Sequence, residues 1–415
     1  MSDNKESVPE VRPTTAVLTR GFDPALSVGS ARPAVFRSST YVFTSPEAAE
    51  RAFDILGGRA KAEDGEKVDL IYSRFSHPNA EILEDQIVPL EKGARAAAVF
   101  NSGMAAIMTS LLAVARPGDH IVYTMPIYGG TQHLIEEFLR SFGIESTPVR
   151  AGQGAKLSEA IEKTPNTRIV LLETPANPTL VMTDIRKAVE AAAQRQPRPL
   201  VMVDNTFLGP AFQHPLALGA DLVLYSATKY LGGFSDLLGG VALAKDPDLI
   251  RKIKSRRGLF GNILQPDECW ILDSRLPTVM LRMNRASKNA QRIAERLVGH
   301  AKIRRIFYPT LFEDADQIRI RLAQCDFSGA IISLDFKGGK PAAFEFLRRL
   351  RLARNAVSLG GVETLVCHPK STTHSAVSAE ELEISGVTDG LVRISIGIED
   401  WRDLLADFQQ ALETM

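Results

Sequence analysis

Lys229 stands at the end of an apolar run, LVLYSATKYLGG (222–233), with the hydroxyls of Ser226 and Thr228 beside it and a glycine turn after it. A lysine there either snorkels to the surface or has work for its amine. Asp204 closes an earlier run, VMVDNT (201–206). Taken alone, it reads as a helix cap or an Asx turn; buried, it needs a cation. NSGMAAI (101–107) sets Ser102, Gly103 and Met104 between a strand-like run and a helix of small residues. A glycine there lets backbone approach a ligand, and the helix start offers free N–H groups to an anion.

An amine for an aldehyde, a carboxylate for a pyridinium nitrogen and a cradle for a phosphate are the parts that pyridoxal phosphate requires. Other residues fit beside them. Tyr128, in YGGT after HIVYTM (120–125), offers an aromatic face, or is a rim aromatic. Asn177 sits in ETPANPT (173–179) at another strand end. Tyr72 and Arg74, in YSRFSHPN (72–79), read from composition as a surface turn. Arg393 lies inside LVRISIGI (391–398), where a charge needs a partner and a substrate carboxylate suits a bidentate guanidinium.

Three other chemistries compete. Ser226 and Lys229 satisfy S-x-x-K, but the chain offers only Ser235-Asp236 towards S-D-N, no K-T-G and no export signal. The run after AAAVF lacks the G-x-G-x-x-G of a nicotinamide site. The seven histidines are scattered without metal-ligand spacing, so no metal is expected. A non-catalytic binding protein would leave Asp204, Lys229 and Arg393 unexplained.

The elements that position these groups follow from the apolar patterning. Strand-like runs at 94–100, 120–125, 168–175, 199–206, 220–227 and 239–245 alternate with helical stretches. Runs apolar on both faces imply a mostly parallel sheet covered by helices, with ligands beyond the carboxyl ends of the strands. A long helix over about 264–300 then leads to a smaller α+β unit: a strand at 329–336, a helix near 341–353, a strand at 391–398 and a helix from 400. Residues 1–20 read as a flexible start, and 62–69 as an exposed loop.

Composition bounds the rest. The 415 residues exceed one compact core. Forty-nine basic residues balance forty-nine acidic ones, which argues against a nucleic-acid partner, and RKIKSRRG (251–258) reads as a solvated helix face. Cys269, Cys325 and Cys367 are widely spaced and odd in number, as for free thiols in a reducing compartment. With no apolar leader and no run of about 20 apolar residues, a cytoplasmic protein without membrane contact is expected.

The motifs YSR-x-x-x-P, SGMAAI, YGGT, ETPANPT, VDNT, SATKYLGG, SLGG, THS and VRISIGIED occur in one order from about residue 12 to the C-terminus. In this the chain resembles the Cys/Met-metabolism family of pyridoxal-phosphate enzymes, which spans cystathionine gamma-synthase, cystathionine lyases, methionine gamma-lyase and homoserine-ester sulfhydrylases. The resemblance implies an aminotransferase-like (fold type I) α/β domain at 75–280, a small α+β domain at 281–415, and a segment 1–74 contacting a neighbouring subunit. It implies that Lys229 holds the cofactor and shuttles protons, that Asp204 pairs with the ring nitrogen, and that Tyr128 stacks on the ring and assists catalysis. Gly103, Met104, Ser226 and Thr228 would bind the phosphate, joined by Tyr72 and Arg74 of a neighbour in a homotetramer of active-site dimers. Asn177 would touch the ring hydroxyl, and Ser358 and Arg393 the carboxylate of a small amino acid undergoing γ-elimination or γ-replacement.

Four positions depart from the family pattern. Phe234 replaces the His after LGG, the stretch from 45 to 71 is long, Gly130 stands where methionine gamma-lyases carry Cys, and Val357 stands where cystathionine enzymes carry Glu. Val357 leaves a distal ammonium unpartnered, at a cost of about 1–3 kcal/mol. The expected substrate is therefore methionine-like, or a homoserine ester, with methionine gamma-lyase-like elimination ahead of replacement.

Overall fold

A computed structural model describes residues 11–63, 66–375 and 377–415. Seven strands form the larger sheet: β1 (Ala96–Phe100), β2 (His120–Met125), β3 (Glu145–Arg150), β4 (Thr167–Glu173), β5 (Leu200–Asp204), β6 (Leu222–Ser226) and β7 (Gly240–Ala244). Their order is β1-β7-β6-β5-β4-β2-β3, with every neighbouring pair parallel except those made by β7. Alternate residues serve opposite cores, as the strand period of two requires. Ile121, Tyr123, Ile169, Leu171 and Met202 pack with Ile107 and Leu111 of the helix Gly103–Val114 and with Ile253 of the helix Pro247–Phe260. Val122, Val170, Val201 and Val203 face the helices Gly154–Lys163 and Ile185–Ala193 on the other side.

The smaller sheet holds β8 (Ile303–Phe307), β9 (Ile331–Phe336), β10 (Arg354–Asn355), β11 (Leu365–Cys367) and β12 (Leu391–Ser395) in the order β10-β11-β12-β9-β8. On β12, Val392 and Ile394 pack against the helices Val279–Leu297, Gly339–Arg349 and Trp401–Thr414. The intervening Arg393 therefore points the other way, and its guanidinium meets Asn177 in the turn after β4 of the large sheet.

Several expectations need correction. The helix over 264–300 is two helices, Pro266–Arg275 and Val279–Leu297, joined by a 3₁₀ turn at Leu276–Thr278. Pro277 lacks an N–H and crowds the preceding turn, so one straight helix is excluded. The start is not irregular throughout: Pro13–Thr19 is helical, with Val17 buried and its carbonyl accepting from Gln86 Nε2 at 2.7 Å. Residues 1–10 of that expected flexible start, and residues 64 and 65 of the expected loop at 62–69, lie outside the described residues.

The run 251–258 is not all solvated. Arg257 is buried and donates to Glu84 Oε1 at 2.6 Å and to the Val99 carbonyl at 2.7 Å, joining its helix to β1. The helix expected near 341–353 ends at Arg349. The edge strand β3 and the strands β8, β10 and β11 escaped the apolar patterning, because only one of six residues in β3 and two of five in β8 are buried, and β10 and β11 are two and three residues long. The stretch from 45 to 71 contains a helix, Pro46–Leu56, capped by Ser45, whose side chain accepts from Ala48 N. Among the described residues, no helix is long and apolar enough to cross a membrane.

Candidate active site

A cavity of roughly 360 Å³ opens where β1, β2, β4, β5 and β6 end, beneath the loop that leads into β11. It brings together Gly103, Met104, Tyr128, Asn177, Asp204, Ser226, Thr228, Lys229, Val357, Ser358 and Arg393. Tyr72 and Arg74 do not join them within this chain. Tyr72 is 40% exposed beside Thr40, and Arg74 donates to the Gly258 carbonyl.

Lys229 follows β6, and its Nζ donates to Ser358 Oγ at 3.0 Å. Burial, and then the positive charge of Arg393, lower its pKa from 10.5 to about 8. Ser358 has a left-handed backbone (φ 99°), a strained conformation outside glycine. Its carbonyl accepts from Arg393 Nη2 at 2.9 Å, so one residue meets both cations of the site. The approach depends on Gly360 (φ 75°), where a Cβ would lie 2.7 Å from Tyr230 N and 3.1 Å from the Lys229 carbonyl carbon. These contacts do not suit the S-x-x-K alternative: the lysine amine bonds Ser358 and not Ser226.

Asp204 satisfies both readings of its position. Its Oδ1 accepts from Thr206 N at 3.0 Å and Thr206 Oγ1 at 2.6 Å, the Asx turn expected of a strand end. Its Oδ2 accepts no hydrogen bond among the described residues. Burial raises the pKa of this carboxyl. A cationic ring nitrogen would supply the missing partner. The phosphate end fits as well. Ser102 caps the helix Gly103–Val114 by accepting from Ala105 N at 3.1 Å, which leaves the first N–H groups of the helix open. A Cβ at Gly103 would sit 2.9 Å from Ser226 Cβ, so glycine is what lets the helix start close on the hydroxyl-bearing end of β6. The residues present thus fit pyridoxal 5'-phosphate at both ends.

Tyr128 begins the short helix Gly129–His133, and its ring is 44% exposed at the mouth of the cavity. A Cβ at Gly130 would fall 2.7 Å from Tyr128 Cε1 and 3.3 Å from Met104 Sδ. The glycine at that departure from the family pattern therefore makes room for the tyrosine ring in this pose. Phe234, the second departure, does not line the cavity. It lies under Arg275, with the guanidinium carbon 4.7 Å from the ring centroid.

Two cavity neighbours escaped sequence reasoning. Glu173, the last residue of β4, is buried and in register with Asp204. Its Oε2 accepts from Tyr128 N at 2.9 Å and its Oε1 from Asn177 N at 3.2 Å. Burial and then the Asp204 charge push its pKa up, against those two N–H groups and Arg393. Its one signal was its place at the head of ETPANPT, an acid ending the apolar run IVLL (169–172). His374 is buried, and burial followed by Arg393 lowers its pKa to about 4, so the ring is neutral. Its Nε2 lies 3.2 Å from the Asn177 carbonyl, the geometry of a donor.

Comparison with known proteins bears on the family. The family pattern described as "Cys/Met metabolism PLP-dependent enzyme" matches residues 14–413. The chain is 40% identical over 381 residues to an L-methionine gamma-lyase of Fusobacterium nucleatum, covering 91% of this chain and 92% of that one. It is 41% identical over 342 residues to a cystathionine beta-lyase of Bacillus subtilis, covering 82% and 86%. Among solved structures it resembles a cystathionine gamma synthase of Xanthomonas oryzae pv. oryzae in complex with aminoacrylate and cysteine, with a TM-score of 0.87 and 34% identity over 97% of this chain and 98% of that one. A family match along nearly the whole length, with relatives this similar, places the chain in the Cys/Met metabolism family of pyridoxal-phosphate-dependent trans-sulfuration enzymes.

Proposed function

We propose that the protein is a carbon–sulfur lyase that eliminates the γ-substituent of methionine or a close analogue. The observation that carries this reading is Val357, 55% exposed at the cavity mouth next to Ser358, an apolar side chain where a distal ammonium would need a carboxylate. The similarity to L-methionine gamma-lyase supports it. The second reading is γ-replacement, as in cystathionine gamma-synthase or a homoserine-ester sulfhydrylase, favoured by Gly130 and by the likeness to a solved gamma synthase.

When bound, pyridoxal 5'-phosphate supplies an aldehyde for amines and a protonated ring that withdraws electrons from the substrate Cα–H bond. The chain does the rest. Arg393 holds the substrate carboxylate with the N–H groups left over from Asn177 and Ser358. Asp204 keeps the ring nitrogen protonated, and the start of the helix Gly103–Val114, with Ser226 and Thr228, takes the phosphate. Asn177 reaches the ring hydroxyl. Lys229 takes the Cα proton and moves protons to and from Cβ, which requires a neutral amine; a pKa near 8 makes that form accessible at neutral pH. The Tyr128 hydroxyl, at the mouth, moves a proton to the departing sulfur.

Tyr72 and Arg74 lie outside this chain's own cavity, which leaves them for the phosphate of a neighbouring subunit, the role that the family resemblance implies. The reading therefore includes a homotetramer of active-site dimers. It divides the chain at 74/75 and 280/281, near the turn Leu276–Thr278. A cytoplasmic setting accords with three free cysteines.

The test is a product assay on holo-protein given L-methionine, L-cystathionine or O-succinyl-homoserine, each with and without cysteine. Rapid 2-oxobutanoate from methionine without thiol is expected. Cystathionine formed from the ester and cysteine, with little keto acid, would overturn the γ-lyase reading.

A further inference from the structure

We propose that Glu173 is a positioning residue that locks the loops bearing Tyr128 and Asn177 into one unit, and through Asn177 ties the ring-stacking tyrosine to the carboxylate-binding Arg393. This rests on the cofactor and substrate roles proposed above. Glu173 is anchored twice. It ends β4, paired in register with Asp204, and its own N–H donates to Thr124 Oγ1 of β2 at 3.1 Å. From that base each carboxylate oxygen takes one backbone N–H, from Tyr128 at 2.9 Å and from Asn177 at 3.2 Å.

Neither N–H has another acceptor among the described residues. Tyr128 precedes its helix, so its N–H lies outside the helical ladder, and Asn177 is buried in the turn after β4. Asn177 is held at two further atoms: its carbonyl lies against His374 Nε2 at 3.2 Å, and its Oδ1 accepts from Arg393 Nη1 at 3.1 Å. The line Tyr128–Glu173–Asn177–Arg393 is therefore continuous through hydrogen bonds of 2.9 to 3.2 Å.

Glu173 touches neither the reacting atoms nor the position of the ring nitrogen, which belongs to Asp204. A second buried carboxylate beside Asp204 opposes the first, and backbone N–H groups are what offset it. Replacing it by Gln keeps the shape but turns one acceptor into a donor facing an N–H. Replacing it by Asp keeps the carboxyl group but draws the acceptors back from both N–H groups.

The experiment compares wild type, Glu173→Gln, Glu173→Asp, Tyr128→Ala and the double variant Tyr128→Ala/Glu173→Gln. It measures uptake of pyridoxal phosphate by the apo-proteins, the visible circular dichroism of the holo-proteins, and kcat and KM on whichever sulfur amino acid the wild type turns over. Glu173→Gln and Glu173→Asp should each lower kcat by about 10- to 100-fold with KM changed less than about threefold, the pattern of misplacement rather than lost binding. The circular dichroism of the cofactor band should change in both while its absorbance remains. On the Tyr128→Ala background, Glu173→Gln should cost less than about threefold, since the ring that this backbone contact positions is gone. Additive losses in the double variant, or a Glu173→Asp enzyme close to wild type in kcat and dichroism, would overturn the proposal. A wild type that binds cofactor but leaves methionine intact would overturn the γ-lyase reading alone, with the variant ratios on the substrate it does use still deciding on Glu173.

Discussion

The inner wall of the cavity and its outer lip are built on opposite plans. On the inner wall, Glu173, Asn177 and Arg393 are 5%, 4% and 3% exposed, and each is held by at least two hydrogen bonds. On the lip, Tyr128, Val357 and Leu238 are 44%, 55% and 64% exposed, and Val357 and Leu238 carry no polar group at all. Buried polar groups hold position because leaving one unpaired is expensive. Exposed apolar groups are held only by packing and can be exchanged at little cost to stability. On the proposed function the wall would hold the cofactor and the substrate carboxylate, and Val357 on the lip would bear on substrate choice.

The largest test of this contrast is at the wall. Lys229→Ala should lose the visible cofactor band and at least about 10³-fold in turnover, more than any change at the lip. Retention of both would break the comparison outright. Next comes the lip. Val357→Glu should raise the rate on cystathionine relative to methionine by about 5- to 100-fold, from a new partner for the distal ammonium, with the thermal midpoint hardly moved. An unchanged ratio would mean that the lip does not select.

The smallest effect reads burial itself. A lysine with its pKa lowered to about 8 gains its neutral amine as pH rises through that value. Capture of pyridoxal phosphate by apo-protein should therefore quicken about tenfold per unit below pH 8 and level off above it. Continued acceleration towards the ordinary 10.5 would give Lys229 the character of a lip residue.

The sequence and the structure agree best where a residue's task is local. A lysine, an aspartate and a glycine-led helix start each advertise themselves at the end of an apolar strand, and the fold brings all three to one edge because parallel strands share a carboxyl end. Arg393 was legible as a charge needing a partner, since it sits between Val392 and Ile394 on a strand buried throughout. Glu173 was not: its partners are backbone N–H groups in two loops, and pairing to backbone leaves no trace in side-chain pattern. The same holds for β3, whose single buried residue, Val149, is too little to show a period. Pro277 was visible in the sequence, yet the apolar rhythm on either side of it concealed the break.

The glycines at the cofactor edge carry a consequence for how this protein can change over generations. A Cβ at Gly240 would lie 2.1 Å from the Ser102 carbonyl oxygen, and one at Gly103 would meet Ser226 backbone and side chain at 2.9 to 3.1 Å. Gly118, Gly261 and Gly299 meet nothing within 4 Å, though their positive φ still makes a side chain costly. In a pool of random variants, a lineage altered at Gly103 or Gly240 would have to move a strand and a helix apart at the place proposed here for the phosphate. Novelty in such a lineage has to come in from the rim.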